Sequence, residues 1–211
     1  MDSSLHVHTL ALRMANAYLL EFPSGLLLVD TGAPGSARIV LRSMQEIERK
    51  DLRLIYITHA HYDHYGSAAE LRRLTGASLA VHPGDAAAMA AGLSPLGSAR
   101  GRGRPVQAFA PPDLSMAGGQ DLASLGFPAT IIHTPGHTPG SSCLLVMDRL
   151  AFVGDLLSTS RRPHLQRYYA SDWNQLPGSL ARVQALHPEL VYPGHGNLPL
   201  DGASLQRLRA A

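Results

Sequence analysis

The most constraining feature of this sequence is the run THAHYDH at residues 58–64, which overlaps the apolar run LRLIYIT at Thr58. It places four potential metal ligands within six residues: His59, His61, Asp63 and His64. Alternate side chains of an extended segment point the same way, so His59 and His61 can share one metal while Asp63 and His64 turn toward a second. Buried polar groups without partners are costly, which disfavours an ordinary polar turn. The run therefore predicts a metal site at the end of a strand.

Three later turns repeat this arrangement. His137 lies in HTPGHTPGS, Asp155 in FVGD and His195 in YPGHG. Each follows an apolar run and lies near glycine, where the backbone can approach closely. Imidazole and carboxylate suit Zn²⁺, and the same nitrogen and oxygen donors can hold manganese or iron. Their shared placement predicts that these residues meet in one site.

The apolar pattern predicts an α/β fold. Short apolar runs predict strands at 5–12, 16–22, 26–29, 52–58, 77–81, 129–133, 141–147, 150–153 and 189–192. Amphipathic stretches predict helices at 34–50, 66–74, 86–91 and 172–187, and from Leu200. The Gly-, Pro- and Arg-rich stretch 92–113 is predicted to be a long loop of the kind that forms lids. Two similar halves of this kind predict packed sheets with helices outside.

Composition narrows the class of protein. A chain of 211 residues fits a single domain, 1–211. The net charge of +2, without a Lys/Arg block, gives no reason to expect nucleic acid as a partner. No apolar run approaches the ~20 residues of a membrane helix, and no signal peptide is visible. The one cysteine, Cys143, excludes an internal disulfide. We expect a cytoplasmic protein that acts on a small molecule, with its oligomeric state open.

Taken in order, THAHYDH, PGHTPGS, GD and GHG resemble the metallo-β-lactamase-fold hydrolases, closest to the glyoxalase II-like and lactonase-like branch. DTG at 30–32 fits as well, and the resemblance extends from about Leu5 to Gly196. It implies a four-layer αβ/βα sandwich with two metals at one edge, between the sheets. It also implies the ligands: His59, His61 and His137 for the first metal, Asp63, His64 and His195 for the second, and Asp155 as the bridge.

The expected chemistry is hydrolysis of a thioester or lactone by a metal-bound hydroxide. Two divalent ions, expected to be zinc, would lower the pKa of water toward ~7 and polarise the carbonyl. Asp63 is the predicted catalytic residue, which would orient the hydroxide and carry a proton to the leaving group. Activity should fall below pH ~6, where protons compete with the metals for histidine.

Other functions on the same fold remain open. β-Lactamases generally lack the bridging aspartate, so Asp155 disfavours that alternative. Iron-dependent persulfide dioxygenases share HxHxDH and PGHT, but this chain continues LLSTSRR after GD. A phosphodiesterase and a non-enzymatic metal-sensing domain are further alternatives. Glyoxalase II carries an additional C-terminal helical region, whereas this chain ends at Ala211, so specificity for glutathione is not expected.

Several residues outside these motifs have secondary expectations. Asp30 and Thr58 are expected to support ligand imidazoles through hydrogen bonds. Packing or surface roles are expected for His6, His8, His164 and His187. His133 is expected to be structural or to support a ligand, and for His82, at a strand end near the site, packing is favoured over a pocket role. Tyr62, Tyr168 and Tyr169 can line a pocket, Arg100, Arg102 and Arg104 lie in the predicted loop, and Cys143 is expected to be a buried small hydrophobe.

Overall fold

The computed structural model describes residues 5–94, 104–105, 112–197 and 199–209. The first half of the chain contains, in order, β1 (His6–Ala11), β2 (Asn16–Phe22), β3 (Gly25–Val29), α1 (Ala37–Glu46), β4 (Leu52–Ile57), α2 (Tyr62–Tyr65), α3 (Ala68–Thr75), β5 (Ser78–Val81), α4 (Pro83–Ala90), β6 (Leu93–Ser94), β7 (Arg104–Pro105) and β8 (Leu114–Ser115). The second half contains a 3₁₀ turn (Ala123–Leu125), β9 (Ala129–His133), β10 (Ser142–Val146), β11 (Leu150–Ser158), β12 (His164–Leu165), α5 (Leu176–Ala185), β13 (Leu190–His195), β14 (Leu200–Asp201) and α6 (Gly202–Arg207).

Two mixed sheets form the centre of the molecule. The first has the strand order β1-β2-β3-β4-β5-β8, antiparallel from β1 to β3 and parallel from β3 to β8. The second has the order β14-β13-β11-β10-β9, in which β11 and β13 are parallel, and β12 pairs with β11. Parallel strands place their carboxyl ends at one edge of a sheet, so the turns after β3, β4 and β5 lie side by side.

The period-2 alternation of the strands divides the buried residues between two layers of core. In β3, whose five residues are all buried, Leu27 and Val29 face the second sheet while Leu26 and Leu28 face the helices. Between the sheets, Leu27 and Val29 belong to the same cluster of buried residues as Phe152 of the second sheet. Strands covered on both faces have continuous apolar sequences, as LLLV in β3 does.

Helices cover the outer face of each sheet. Val40 of α1, Leu71 of α3 and Met89 of α4 pack on the first sheet, and Leu180 of α5 and Leu205 of α6 pack on the second. The order of layers is helix, sheet, sheet, helix. The prediction of a four-layer αβ/βα sandwich is confirmed.

Element boundaries differ from the sequence prediction where glycine, proline or pairing intervenes. The predicted helix 34–50 is α1, Ala37–Glu46, because Pro34 and Gly35, with φ at 91°, form a turn before it. The predicted strand 150–153 continues to Ser158 as β11, paired with β13 and β12. The predicted helix 172–187 is α5, Leu176–Ala185, with Pro177 in its first turn as expected.

The predicted loop 92–113 lies largely outside the described residues. Its described parts include β6 and β7, which pair as a small antiparallel ladder. Arg100 and Arg102 lie outside the described residues. Among the described helices, none is long and apolar enough to cross a membrane.

Candidate metal centre

The run THAHYDH begins where β4 ends, at the edge formed by the carboxyl ends of the parallel strands. His59 and His61 lie in the extended turn after the strand, and His61 is the residue before the first turn of α2. The backbone N–H of His64 donates to the carbonyl of His61 over 2.9 Å. The short helix carries Asp63 and His64 on to a second group of potential ligands, and the ring of His64 lies 4.1 Å from that of His59, so the two groups are neighbours.

The first cluster consists of His59, His61, His137 and Asp155, all of them buried, with potential ligand atoms within 4.8 Å of one another. Nδ1 of His61 lies 3.0 Å from Nε2 of His137. Oδ2 of Asp155 lies 3.2 Å from Nε2 of His137 and 3.9 Å from Nε2 of His59.

The second cluster consists of Asp63, His64 and His195, again within 4.8 Å of one another. Oδ2 of Asp63 lies 3.7 Å from Nε2 of His195. Asp155 faces this cluster too. Its Oδ1 lies 3.3 Å from Nε2 of His64, and its Oδ2 lies 3.1 Å from Nε2 of His195. All seven ligands predicted from the sequence therefore converge, with the Asp155 carboxylate between the clusters.

The donor atoms test whether a metal fits here. In the part of the chain that the structure describes, Nε2 of His59, Nε2 of His64 and Oδ1 of Asp155 are buried without a hydrogen bond. Buried polar atoms in folded proteins nearly always have a partner, which can be an ion. Because these three atoms face one another across a cluster of imidazoles, the donor set fits divalent cations.

Hydrogen bonds on the far side of two imidazoles orient their free nitrogens toward the clusters. Oδ2 of Asp30 lies 2.8 Å from Nδ1 of His64, and the carbonyl of Gln166 lies 3.2 Å from Nδ1 of His137. In each case Nδ1–H donates to oxygen, which leaves Nε2 as the nitrogen that faces the clusters. Asp30 also accepts a hydrogen bond from the hydroxyl of Thr58 over 2.8 Å. The hydroxyl oxygen of Thr58 in turn lies 3.1 Å from Nδ1 of His59. The predicted supporting roles of Asp30 and Thr58 agree with these contacts.

Charge and burial act together on the titration of the clusters. Burial, with the neighbouring His64 and His61, holds the pKa of His59 well below its ordinary value. Burial alone would raise the pKa of Asp155, but His64 and His195 hold that pKa well below its ordinary value. His59 is therefore neutral and Asp155 ionised at neutral pH, which are the forms that bind metal.

Asp155 lies within β11, not after the strand as the sequence suggested. The pairing of β11 with β13 shifts register on both sides of Gly154, whose φ is 51°. Such an irregularity redirects a side chain, and here it turns Asp155 to the edge that carries the histidines. Gly194 lies against it, because a Cβ there would collide with Asp155 and lie 2.7 Å from Cε1 of His64.

Two contacts from the first sheet hold the turn that carries His195, which is the last residue of β13. The hydroxyl of Tyr18 donates to the carbonyl of Pro193 over 2.6 Å, and the side-chain amide of Asn16 donates to the carbonyl of Gly196 over 2.8 Å. The ligand turn is therefore fixed across the interface between the sheets.

A cleft of about 370 Å³ opens onto the clusters. Its floor includes His61, Asp63, Asp155 and His195, and its walls include Met14, Tyr62, Ser94, Gln166, Tyr168 and Tyr169. The backbone N–H groups of Ser171 and Asp172 donate to the carbonyls of His137 and Gly136, over 2.9 and 2.8 Å. The segment that carries the two wall tyrosines is thus anchored to a ligand turn.

Sequence reasoning missed several of these residues. Met14, Ser94 and Gln166 line the cleft, yet each comes from a segment with no motif of its own. The histidines set aside earlier do stay apart from the clusters. The ring of His133 stacks on that of His82 at 4.0 Å, and His8 lies 2.7 Å from Glu21. Cys143 is buried, and burial raises the pKa of its thiol to about 12.

Fold and site together define a class, the metal-binding hydrolases built on this sandwich. The family model of the metallo-beta-lactamase superfamily matches residues 10–195, and the chain belongs to this superfamily.

Several relatives are similar over different shares of their length. A probable metallo-hydrolase of Bacillus subtilis, YflN, is 25% identical over 97% of this chain and 89% of its own length. A hydroxyacylglutathione hydrolase of Anaeromyxobacter dehalogenans is 36% identical over 66% of this chain. The match covers only 45% of that relative.

Solved structures agree on the fold. The B3 metallo-beta-lactamase BLEG-1 is 26% identical, with a TM-score of 0.78 and 95% of each chain covered. TTHA1623, solved in a di-iron-bound form, is 29% identical, with a TM-score of 0.73. The match covers 96% of this chain and 97% of that chain.

Proposed function

We propose that this chain hydrolyses a thioester or lactone at a dinuclear metal centre. The observation that carries the proposal is the position of Asp155. One of its oxygens lies 3.2 Å from His137 in the first cluster, and the same carboxylate lies 3.3 Å from His64 in the second. A carboxylate with one face toward each of two ligand sets is suited to bridge two cations.

One ion would be held by His59, His61 and His137. The other ion would be held by Asp63, His64 and His195, and Asp155 would bind both. The donors are nitrogen and oxygen only, which suits zinc and is compatible with manganese or iron. When bound, such ions lower the pKa of water to about 7 and polarise a carbonyl oxygen. TTHA1623, with its di-iron form, supports iron as the alternative to zinc.

Asp63 is the proposed catalytic residue. Its carboxylate lines the cleft, and its side chain is 15% exposed, so it can reach both a bound water and a leaving group. The carboxylate would orient the attacking water through a hydrogen bond and carry its proton to the departing thiolate or alkoxide.

The size of the cleft supports a small-molecule substrate. A volume of about 370 Å³ lies at the lower end of the range of small-ligand sites. Hydroxyacylglutathione hydrolases act on a thioester by name, and they supply the argument for the substrate class. The chain spans less than two thirds of those relatives, so the glutathione part of their substrate is not included in the proposal.

β-Lactam hydrolysis is the second candidate. It is supported by BLEG-1, whose chain this one matches over 95% of both lengths. The amide carbonyl of a β-lactam needs the same attack by water, so the same centre can serve either reaction. Relative rates on the two substrate classes separate the candidates.

The test combines metal analysis of the purified protein with hydrolysis assays on a thioester, a lactone, a β-lactam and a phosphodiester. We expect two metal equivalents per chain and the highest kcat/KM on the thioester or the lactone. His59→Ala should lose the ion of the first cluster, and with it the activity, while keeping the far-ultraviolet circular dichroism spectrum. His164→Ala, which changes an exposed histidine outside both clusters, is the matched control and should behave as wild type.

Each arm has an outcome that contradicts the proposal. One metal per chain at full activity would overturn the dinuclear centre. A β-lactam as the best substrate would favour the second candidate, and metal without hydrolysis of any of the four would overturn the assignment of a hydrolase with these substrates.

A further inference from the structure

Asp85 is a buried carboxylate that belongs to neither cluster. It lies in the first turn of α4 and is 1% exposed. Its oxygens accept three hydrogen bonds, from the backbone N–H of Ala60 over 2.7 Å, from the hydroxyl of Thr138 over 2.6 Å and from the backbone N–H of Gly140 over 2.7 Å. Hydrogen bonds to an ionised acceptor are stronger than those between neutral groups.

The three donors lie in the two turns that carry the histidines of the first cluster. Ala60 is the residue between His59 and His61, and Thr138 follows His137. One oxygen, Oδ2, accepts from both Ala60 and Thr138. Asp85 therefore joins two turns that come from different sheets, at positions adjacent in sequence to the metal ligands.

The packing around Asp85 leaves little freedom. A Cβ on Gly84 would lie 2.9 Å from the backbone nitrogen of Gly140, and a Cβ on Gly140 would lie 2.6 Å from Cγ of Asp85. The hydroxyl of Ser141 lies 2.8 Å from that of Thr138. Because Thr138 donates its proton to Asp85, Ser141 donates to Thr138, and the turn is closed by a directed chain of hydrogen bonds.

We propose that Asp85 is a positioning residue for the first cluster. It holds the His59–His61 turn and the His137 turn at the separation that lets three imidazoles bind one ion. The second cluster has other supports, Asp30 at His64 and Tyr18 at the turn of His195. Loss of Asp85 is therefore expected to weaken the first site selectively. The inference rests on the proposed metal centre.

Asparagine is the informative replacement because it keeps the shape of aspartate. Its amide offers one accepting oxygen, and its NH₂ must face at least one of the three donors. Asp85→Asn therefore sets an N–H group against an N–H or O–H donor and loses at least one of the three hydrogen bonds, without opening a cavity. Asp201 accepts from the backbone N–H of Ser204 over 2.8 Å at the start of α6, so Asp201→Asn is the matched control.

The experiment measures the Co²⁺ affinity of metal-free protein by competition with a chromophoric chelator. In a His195→Ala background, which keeps the first cluster, Asp85→Asn should lower the affinity by about 10- to 100-fold. In a His59→Ala background, which keeps the second, it should leave the affinity unchanged. Asp201→Asn should change neither. Equal losses in both backgrounds would indicate a general structural role and overturn the proposal.

A second measurement needs no metal. Amide hydrogen exchange at Ala60, at Gly140 or at both should be faster in Asp85→Asn than in wild type, while exchange in the core strand β3 stays the same. Unchanged exchange at both amides would overturn the proposal. Wild-type protein that binds no Co²⁺ would instead overturn the proposed metal centre, so the two failures are distinguishable.

Thr138 tests the same connection from the other turn. Thr138→Val removes the hydroxyl that Asp85 accepts from, and Thr138→Ser restores it. If both residues act through one hydrogen bond, the affinity loss in the Asp85→Asn, Thr138→Val double variant is smaller than the product of the single losses. Independent losses would contradict a shared connection.

Discussion

Oδ2 of Asp30 lies 2.8 Å from Nδ1 of His64, and both side chains are buried. This contact leaves Nε2 of His64 as the nitrogen that faces the second cluster and Asp155. Asp30 itself has a left-handed backbone, with φ at 61°. Aspartate and asparagine tolerate that conformation better than most residues, so the backbone here and the orientation of a ligand are linked through one side chain.

Asp30→Asn should weaken metal binding at the second cluster by about 10- to 100-fold, because the amide is a weaker acceptor for the imidazole N–H. Asparagine keeps the left-handed backbone, so the fold should persist. Competition titration with Co²⁺ is the measurement. Asp148→Asn is the control, since Asp148 is exposed and has a similar φ of 54°. Equal affinities of Asp30→Asn and wild type would show that the contact does not tune the site.

Gly194→Ala should reduce both metal content and kcat/KM, because the added methyl group would collide with Asp155 and His64. Gly178→Ala is the control, as a Cβ at Gly178 in α5 would meet nothing within 4 Å. That substitution should raise the free energy of unfolding by about 0.5–1 kcal/mol, because alanine is the better helix former. A fully active Gly194→Ala protein with two metals would refute the predicted collision.

Tyr168→Ala should raise KM while leaving metal content unchanged, because Tyr168 lines the cleft and belongs to neither cluster. The loss of one apolar contact in such a site is expected to raise KM by about 10-fold. Steady-state kinetics on the best substrate checks it. Trp173→Ala removes another exposed aromatic ring, which is absent from the described cleft wall, and should leave KM unchanged. Equal KM values for the two variants would remove Tyr168 from the substrate site.

The stability of the fold should fall as the pH decreases from about 6.5 to about 4 because of His82. Burial and the neighbouring His133 lower the pKa of His82 to about 4, and its Nδ1 accepts from the backbone N–H of Gly84 over 3.1 Å. Unfolded histidine titrates near 6.5, so in this window the unfolded chain binds more protons and protonation favours unfolding. Above about pH 6.5 the group is neutral in both states and has no effect.

His82→Asn removes the titration and keeps a side-chain acceptor at the start of α4. Urea denaturation at pH 7 and pH 4.5, in the presence of a chelator, compares the variant with wild type. The variant should lose less stability than wild type over this interval. An identical loss in both would show that His82 does not contribute, since the metal ligands titrate in both proteins alike.

The local parts of the site could be predicted from the sequence. The spacing of His59, His61, Asp63 and His64 after a strand predicts them as potential ligands, and the structure brings them together with the later turns. The other three potential ligands, His137, Asp155 and His195, each lie beside glycine near the end of an apolar run, and the family resemblance implies that they complete the set. The prediction that Asp155 follows a strand was wrong, since the strand continues through it, and the register shift at Gly154 depends on pairing with β13.

The assignment of 1–211 to a single domain stays a prediction.

The residues that can bind metal, and the buried strands that stack as sheets, were predictable without the structure, because these properties follow from side-chain chemistry and short-range periodicity. The pairing and packing of the two sheets select His64 as the imidazole that Asp30 supports, and they bring Asp85 between the turns of Ala60 and Thr138. These contacts join segments 25 or more residues apart, such as Asp85 and Thr138, 53 residues apart. Partners at that distance are chosen by how the sheets pack, which no local pattern encodes.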